Sequence, residues 1–511
     1  MADQVISRSQ TRSNDGVQRL KRDAVGTVGV IFMAVATAAP ITAMVGNVPI
    51  AVGFGNGSHA PAGYFVATVV LGLFAIGYAT MAKHITATGA FYGYISHGLG
   101  RIPGMAAGTI ITMAYIVFEA SLIGIFAFFT QNLLENFFGW HVHWIVPALG
   151  MLILNAILTY FDVNLTAKVL GAFLITEIVM LLLGALAVLF RGGGPEGFAA
   201  ADIVNPIGAF QAAPVAGASA GLGLFFAFWS WVGFESTAMY GEESRNPKRI
   251  IPRATMIAVL GVGLFYVFIS WMAIAGTGPD KAVELAQDAD TAGEIFFAPV
   301  RETYGQWAIV LFEILLVTGS YACGMAFHNC ASRYLYAFGR EGLSKTAQRT
   351  LGATHPVHGS PYIASFVQSG IALVIILAFL ANGMSPYEHM YALLAILGTM
   401  AILIVQSLCA FSVISYFHIR KQNPESKHWF KTLLAPLLGG LGMLYVVTLL
   451  WEHRETAAGT ASGTLLFKLT PWIVIGLFVL GGAVAAWCKY RDPRRYELIG
   501  RIVYDDSEVR R

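Results

Sequence analysis

The sequence predicts an all-α integral membrane protein. It has twelve crossing helices in a five-plus-five inverted repeat, with helices 1 and 6 discontinuous and two further helices at the C-terminus. Three observations carry this expectation. Of 511 residues, 56% are hydrophobic and 12% charged, with a mean hydropathy of +0.64; soluble domains carry about 25% charged residues. Apolar runs recur at about the 20-residue length that crosses a hydrocarbon layer. The first and sixth of these runs are each interrupted in mid-span, about 193 residues apart.

Residues 1–23 form a polar tail with Arg8, Arg12, Arg19, Lys21 and Arg22. It holds no apolar stretch followed by a small-residue cleavage site, so no cleaved signal peptide is expected. The apolar runs then fall at 25–54, 62–82, 104–136, 144–161, 164–190, 217–241, 253–276, 305–338, 361–381, 387–418, 431–452 and 468–490. The run at 144–161 is short, and 104–136 is long enough to tilt or extend past the bilayer. The repeats are expected at 24–190 and 217–418, helices 11 and 12 at 428–490, and a charged tail at 491–511. Lys and Arg accumulate on the cytoplasmic side of membrane proteins. With the N-terminus inside, all of the 32 Lys and Arg except Arg191, Lys281, Arg301, Arg454 and Lys468 fall on that side. Both termini are therefore expected in the cytoplasm, and the bilayer is taken as the plasma membrane. Two outer loops are long, 190–216 and 277–304. The second carries Asp280, Glu284, Asp288, Asp290 and Glu294 and reads as partly helical, either covering an outward vestibule or simply solvated.

The interruptions have distinct chemistry. Pro40 removes a backbone donor and clashes with the preceding turn, so helix 1 should open around Thr37–Thr42. In the sixth run, Ser230-Trp231-Val232-Gly233-Phe234-Glu235 places a glycine and a carboxylate near the bilayer centre, which is costly unless the backbone there lines a cavity. A helix broken at that depth presents unpaired N–H and C=O groups that hold small polar solutes in transporters. The plainer alternative is a packed, glycine-containing helix with Glu235 hydrogen-bonded. It accounts for one break but not for a matched pair.

Four stretches resemble the amino acid–polyamine–organocation superfamily, whose members share the LeuT-type fold. They are FFAFWSWVGFEST…GEESRNPKRIIPRA (225–254), HITATGAFYGYISHGLGRIPGMAAG (84–108), HNCASRYLYAFGREGLSKTAQR (328–349) and HPVHGSPYIAS (355–365). The resemblance covers 24–490. It implies a secondary active transporter working by alternating access, in which helices 1, 2, 6 and 7 move against 3, 4, 8 and 9. One departure stands out. Many relatives carry a glycine-rich run at the helix 1 break, where this chain has Thr37-Ala38-Ala39-Pro40-Ile41-Thr42. The remaining amides and the two threonine hydroxyls still suit a carboxylate, and amine substrates stay open.

The expected substrate site lies between the breaks: Thr37, Ala38, Ala39, Ile41 and Thr42 on one side, Trp229, Ser230, Trp231, Gly233 and Phe234 on the other, with Tyr115 beside them. Trp229, Trp231 and Phe234 are expected as an aromatic lid, with cation–π attraction for an ammonium. Glu119, Glu177 and Glu235 lie inside spans, where an ionisable group is a functional candidate by default. The resemblance places Glu177 where proton-coupled relatives carry a lysine facing the helix 1 break and near a cation site of sodium-coupled relatives; a proton is expected, with sodium as the alternative. Glu235 serves either the substrate or the break itself. Glu242, Glu243 and Arg245 are expected to gate the inner end against the basic N-terminal tail, and Tyr387 and Tyr391 to contribute to an outer gate. His328 is expected as a packing residue.

Other function classes find little support. There is no HExxH and no Walker-type phosphate-binding loop, so neither an enzyme nor an ATP-driven pump is indicated and no cofactor or metal is expected. A net charge of +3 gives no reason to expect nucleic acid. The four cysteines lack metal or disulfide spacing. A polyamine or other amine is the alternative to an amino acid as substrate, and a non-transporting sensor on the same fold is the alternative of another class.

Overall fold

The computed structural model describes residues 20, 25–86, 89–161, 163–198, 205–288, 291–341 and 344–500. Among these the chain is helical, and its β-structure is limited to two isolated bridges, Val25 with Ser244 and Gly194 with Gly197. The helices are α1 (Thr27–Ala38), α2 (Pro40–Ile50), α3 (Ala60–Ala82), α4 (Ala90–Gly98), α5 (Arg101–Phe138), α6 (Ile145–Tyr160), α7 (Val163–Phe190) and α8 (Ala220–Trp229). They continue with α9 (Pro247–Thr277), α10 (Pro279–Ala286), α11 (Glu294–Tyr304), α12 (Gln306–Arg340), α13 (Lys345–Arg349), α14 (Tyr362–Ala381), α15 (Ala392–Ile414), α16 (Ala435–Ala458), α17 (Leu465–Arg491) and α18 (Pro493–Leu498).

Ten spans among the described residues are long and apolar enough to cross a membrane. Two of the twelve runs read from the sequence fall short, each for a physical reason. α6 has 16 residues. The sixth run is divided into the ten residues of α8 and a 3-10 turn at Phe234–Tyr240, so neither half spans alone. α5, at 38 residues, is about 57 Å long at 1.5 Å per residue and overshoots the bilayer. It is the central strut, packed along α12, α15 and α17. Prolines open α3, α9 and α10 in their first turn, where the missing N–H costs nothing.

Exposed apolar side chains stud the outer faces: Leu264 on α9, Val374 on α14, Trp472 and Leu480 on α17. Such surface is stable only against lipid tails. The buried core instead runs through α1, α3, α5, α8, α9, α12 and α15. The acidic loop forms α10 and α11 and packs on the end of the first span, where a Cβ on Gly53 would run into Ala286 backbone. Asp290 lies outside the described residues. All four cysteines are buried and free.

Candidate functional site

The first break begins at Ala39, whose φ of 46° is left-handed, and the chain resumes as α2 with Pro40 at its first position. An uninterrupted helix would carry bonds from Ile41 N–H to Thr37 O and from Thr42 N–H to Ala38 O. Freed groups in a dry interior need other partners. Thr37 O accepts from Cys323 Sγ at 3.3 Å on α12, and Ala38 O accepts from the Tyr266 hydroxyl at 2.8 Å on α9. The freed Ile41 N–H donates to the carboxylate of Glu177 on α7. Glu177 is 1% exposed and lies against Gly319, where a Cβ would come within 2.9 Å of its carboxyl carbon. Gly319 thus makes room for the carboxylate.

The second break turns at Gly233, with φ of 122°, a conformation open to glycine. Its N–H donates to both oxygens of Glu235 at 3.1 and 3.2 Å, and Tyr115 Oη donates to the same carboxylate at 2.6 Å. Tyr78 Oη caps the Glu235 carbonyl at 2.9 Å. Each break therefore pairs a freed amide with a buried carboxylate. The breaks also touch: a Cβ on Gly233 would sit 2.5 Å from Thr37 Cγ2. Ser230 Oγ receives Asn47 Nδ2 at 3.0 Å and lies 3.1 Å from the Tyr64 hydroxyl. Thr42 Oγ1 is buried without a hydrogen-bond partner among the described residues.

Three expected residues sit elsewhere. Trp231 lies between Tyr64 and Tyr266, its Nε1 donating to Val259 O at 3.3 Å, and Phe234 packs on Phe74. Trp231 points into α3 and α9 and Phe234 into α3, so the expected lid reduces to Trp229, which meets Tyr391 at 5.2 Å between centroids. Glu119 also turns away from the breaks. It receives Asn155 Nδ2 at 3.1 Å, Gln368 Nε2 at 2.6 Å and a 2.7 Å bond from His328 Nδ1, with Ser365 behind the imidazole at 2.8 Å. This tie joins α5, α6, α12 and α14. Tyr115, one turn away on α5, connects it to the breaks. His328, expected as packing, is a full member of it.

The two ends are closed. At the far end, Trp229, Tyr391, Tyr387 and Phe128 form a continuous aromatic run with centroid separations of 5.2, 5.7 and 4.7 Å, and Tyr391 Oη donates to Asn47 Oδ1 at 3.4 Å. At the opposite, basic end, Glu243 takes a bidentate pair from Arg333 at 2.9 and 3.0 Å, and Glu242 one from Arg340 at 2.7 and 2.7 Å. The four side chains are at most 6% exposed, and Arg333 also covers the Tyr240 ring at 4.7 Å. The sequence suggests the N-terminal tail as partner; Lys21 and Arg22 lie outside the described residues, and the arginines found come from α12. Arg245 is exposed and contributes its backbone N–H to Val25 O at 3.4 Å. Seven-residue spacing puts Arg333 and Arg340 on one face of a helix, a signal that could have matched them to two adjacent glutamates. Cys323, Tyr266 and Gly319 carry no comparable signal.

The family model described as amino acid permease matches residues 25–479. The low-affinity putrescine importer PlaP of Escherichia coli K12 is 24% identical over 469 residues, 91% of this chain and 94% of that protein. The branched-chain amino acid permease BcaP of Bacillus subtilis is 21% identical over 440 residues, 81% of this chain and 83% of its own length. Among solved structures, a mutant of the Eremococcus coleocola manganese transporter shares the fold with a TM-score of 0.60 at 11% identity, covering 92% of this chain and 94% of that one.

Proposed function

Because the chain belongs to the amino acid permease family, we propose that it moves an amino acid across the plasma membrane by proton-coupled alternating access. It is a multi-pass membrane transporter, not an enzyme, and its substrate is a small molecule of the amino acid or amine kind. In this reading twelve helices cross. α1–α2 to α7 form the first repeat (24–190), the broken sixth helix to α15 the second (217–418), and α16 and α17 (within 428–490) follow. The basic end faces the cytoplasm with both termini, the tails being 1–23 and 491–511.

One observation carries the mechanism. The Ile41 N–H freed by the helix 1 break is occupied by the chain's own carboxylate, Glu177. A substrate α-carboxylate needs that donor, and an ionised Glu177 competes for it. Protonating Glu177 removes the charge that holds the amide and yields the donor to the substrate. Proton and substrate then bind together, which is the requirement for symport. Glu235, held by Gly233 N–H and the Tyr115 hydroxyl, keeps the second break in shape. The ion pairs of Glu242 and Glu243 close the cytoplasmic path and the Trp229–Tyr391 stack closes the outer one. Glu119 stabilises the scaffold of helices 3, 4, 8 and 9. Sodium in place of the proton is the alternative for coupling.

The same observation favours a second reading. If Glu177 stays ionised, the site offers an anion, which suits an ammonium without an α-carboxylate, such as a diamine. A thermal-shift panel of amino acids and diamines separates the two, since a ligand at about 100 times its Kd adds about 2.7 kcal/mol to native stability. In the amino acid reading, Glu177→Gln retains the shift and loses its dependence on pH. In the amine reading, the same variant loses the shift. A panel in which no amino acid or amine shifts the wild type contradicts both.

A further inference from the structure

Beyond α17 the described chain, as far as Gly500, stays packed on the molecule. Asp492 caps α18, its Oδ1 accepting from Arg495 N–H at 3.3 Å, and Pro493 takes the first helical position. The segment turns back beneath α5, where the Arg101 guanidinium lies over the Tyr496 ring at 5.2 Å. Ile499 is 1% exposed and joins the main apolar core. Gly500 then places its N–H between two buried acceptors, 2.8 Å from Glu341 Oε1 and 3.1 Å from Tyr92 Oη, while the Tyr92 hydroxyl donates to Glu341 Oε2. Gly500 has φ of 69°, and a Cβ there would collide with the Ser96 side chain. The seat accepts glycine alone, on both backbone and steric grounds. Glu341 directly follows Arg340, whose guanidinium holds Glu242.

We propose that residues 492–500 are a latch. By seating Gly500 on Glu341 and Tyr92, they fix the end of α12 and so position Arg340 for the ion pair that closes the basic end. Releasing the latch frees Glu341, loosens Arg340 and favours opening toward that side. This rests on the reading of the Glu242–Arg340 pair as a gate.

The electrostatics give the latch a pH dependence. Burial pushes the Glu341 carboxyl up to about 8. The groups facing it are the Tyr92 hydroxyl from α4, the Arg340 guanidinium on its own segment and the Gly500 N–H from the latch, with Arg101 of α5 acting on Tyr92. All three favour the ionised form, but burial outweighs them, so the seated state binds a proton more tightly than an exposed glutamate does. Seating is favoured at acidic pH, weakens as pH rises between about 4.5 and about 8, and stays at its weakest above that.

Cys330, 0% exposed on α12 beside the basic-end closure, serves as a native reporter in the full-length protein. Its labelling by a maleimide, located by peptide mass spectrometry, is compared among wild type, Gly500→Val, chains ending after Arg491 or after Gly500, and Arg340→Gln. Circular dichroism and monodispersity confirm that each is folded. Gly500→Val and the chain ending at Arg491 should label faster by roughly five-fold or more, within the usual range of intersite coupling, and the chain ending at Gly500 should match wild type. Because maleimide reacts with the thiolate, whose fraction itself grows with pH, labelling at each pH is divided by that of Arg340→Gln; this ratio should rise for the wild type from about pH 6 to about pH 8, and Glu341→Gln should flatten that rise. Fast labelling of Arg340→Gln with wild-type labelling of Gly500→Val overturns the latch and leaves the gate standing. Wild-type labelling in both overturns latch and gate together.

Discussion

At the basic end, Arg333 and Arg340 each meet a glutamate through two hydrogen bonds of 2.7–3.0 Å in a dry interior, whereas at the far end Trp229, Tyr391, Tyr387 and Phe128 close the path by ring contact and one long hydrogen bond. The difference is one of sharpness. A buried ion pair is held by geometry: the charges are already desolvated, and losing one partner strands the other at about 3–5 kcal/mol. Aromatic contacts add about 0.5–1.5 kcal/mol beyond area burial and tolerate sliding. One end is therefore closed in an all-or-none manner and the other in a graded manner. On this contrast the aromatic end should open by small ring movements and the basic end only when whole pairs separate.

The largest effect should come from breaking the sharp side. Arg333→Gln removes the two-pronged bond to buried Glu243 and should lower stability by about 3–5 kcal/mol, read as a drop in melting temperature with accelerated labelling of Cys330. Arg333→Lys keeps the charge but loses the fork geometry and should fall between. An effect below about 1 kcal/mol for Arg333→Gln would place the pair in water and erase the contrast. On the graded side, Tyr391→Phe removes a 3.4 Å bond to Asn47 and keeps the ring stack. It should cost less than about 1 kcal/mol and leave binding near wild type in the thermal-shift panel. A loss as large as that of Arg333→Gln would make the aromatic closure as sharp as the ion-paired one.

The parts of this picture that were legible in the sequence are those governed by the local chain. Pro40 announced a break because proline cannot sit inside a helix without consequence, and Gly233 announced another because it stands where a span should be continuous. Even there the geometry is finer than expected: the left-handed residue is Ala39, and Pro40 opens the second half. What the sequence hid is facing and long-range pairing. Trp231 points into α3 and α9 and Phe234 into α3, facings that no local pattern reports. Glu119 was separated from its partners by sequence distances of 36, 209 and 249 residues, which no periodicity reports. Arg333 and Arg340 read only as positive charges marking the cytoplasmic side; they are buried and paired with glutamates at sequence separations of 90 and 98.

The central claim is that Glu177 couples a proton to the substrate by competing for the amide at the helix 1 break. Its most direct test is accumulation in proteoliposomes under an imposed pH gradient without sodium, using the ligand found by thermal shift and comparing wild type with Glu177→Gln. The account predicts gradient-driven accumulation by the wild type, and in the variant only exchange, at a rate that ignores pH. Accumulation that needs sodium and ignores the pH gradient, or full accumulation by Glu177→Gln, would contradict it.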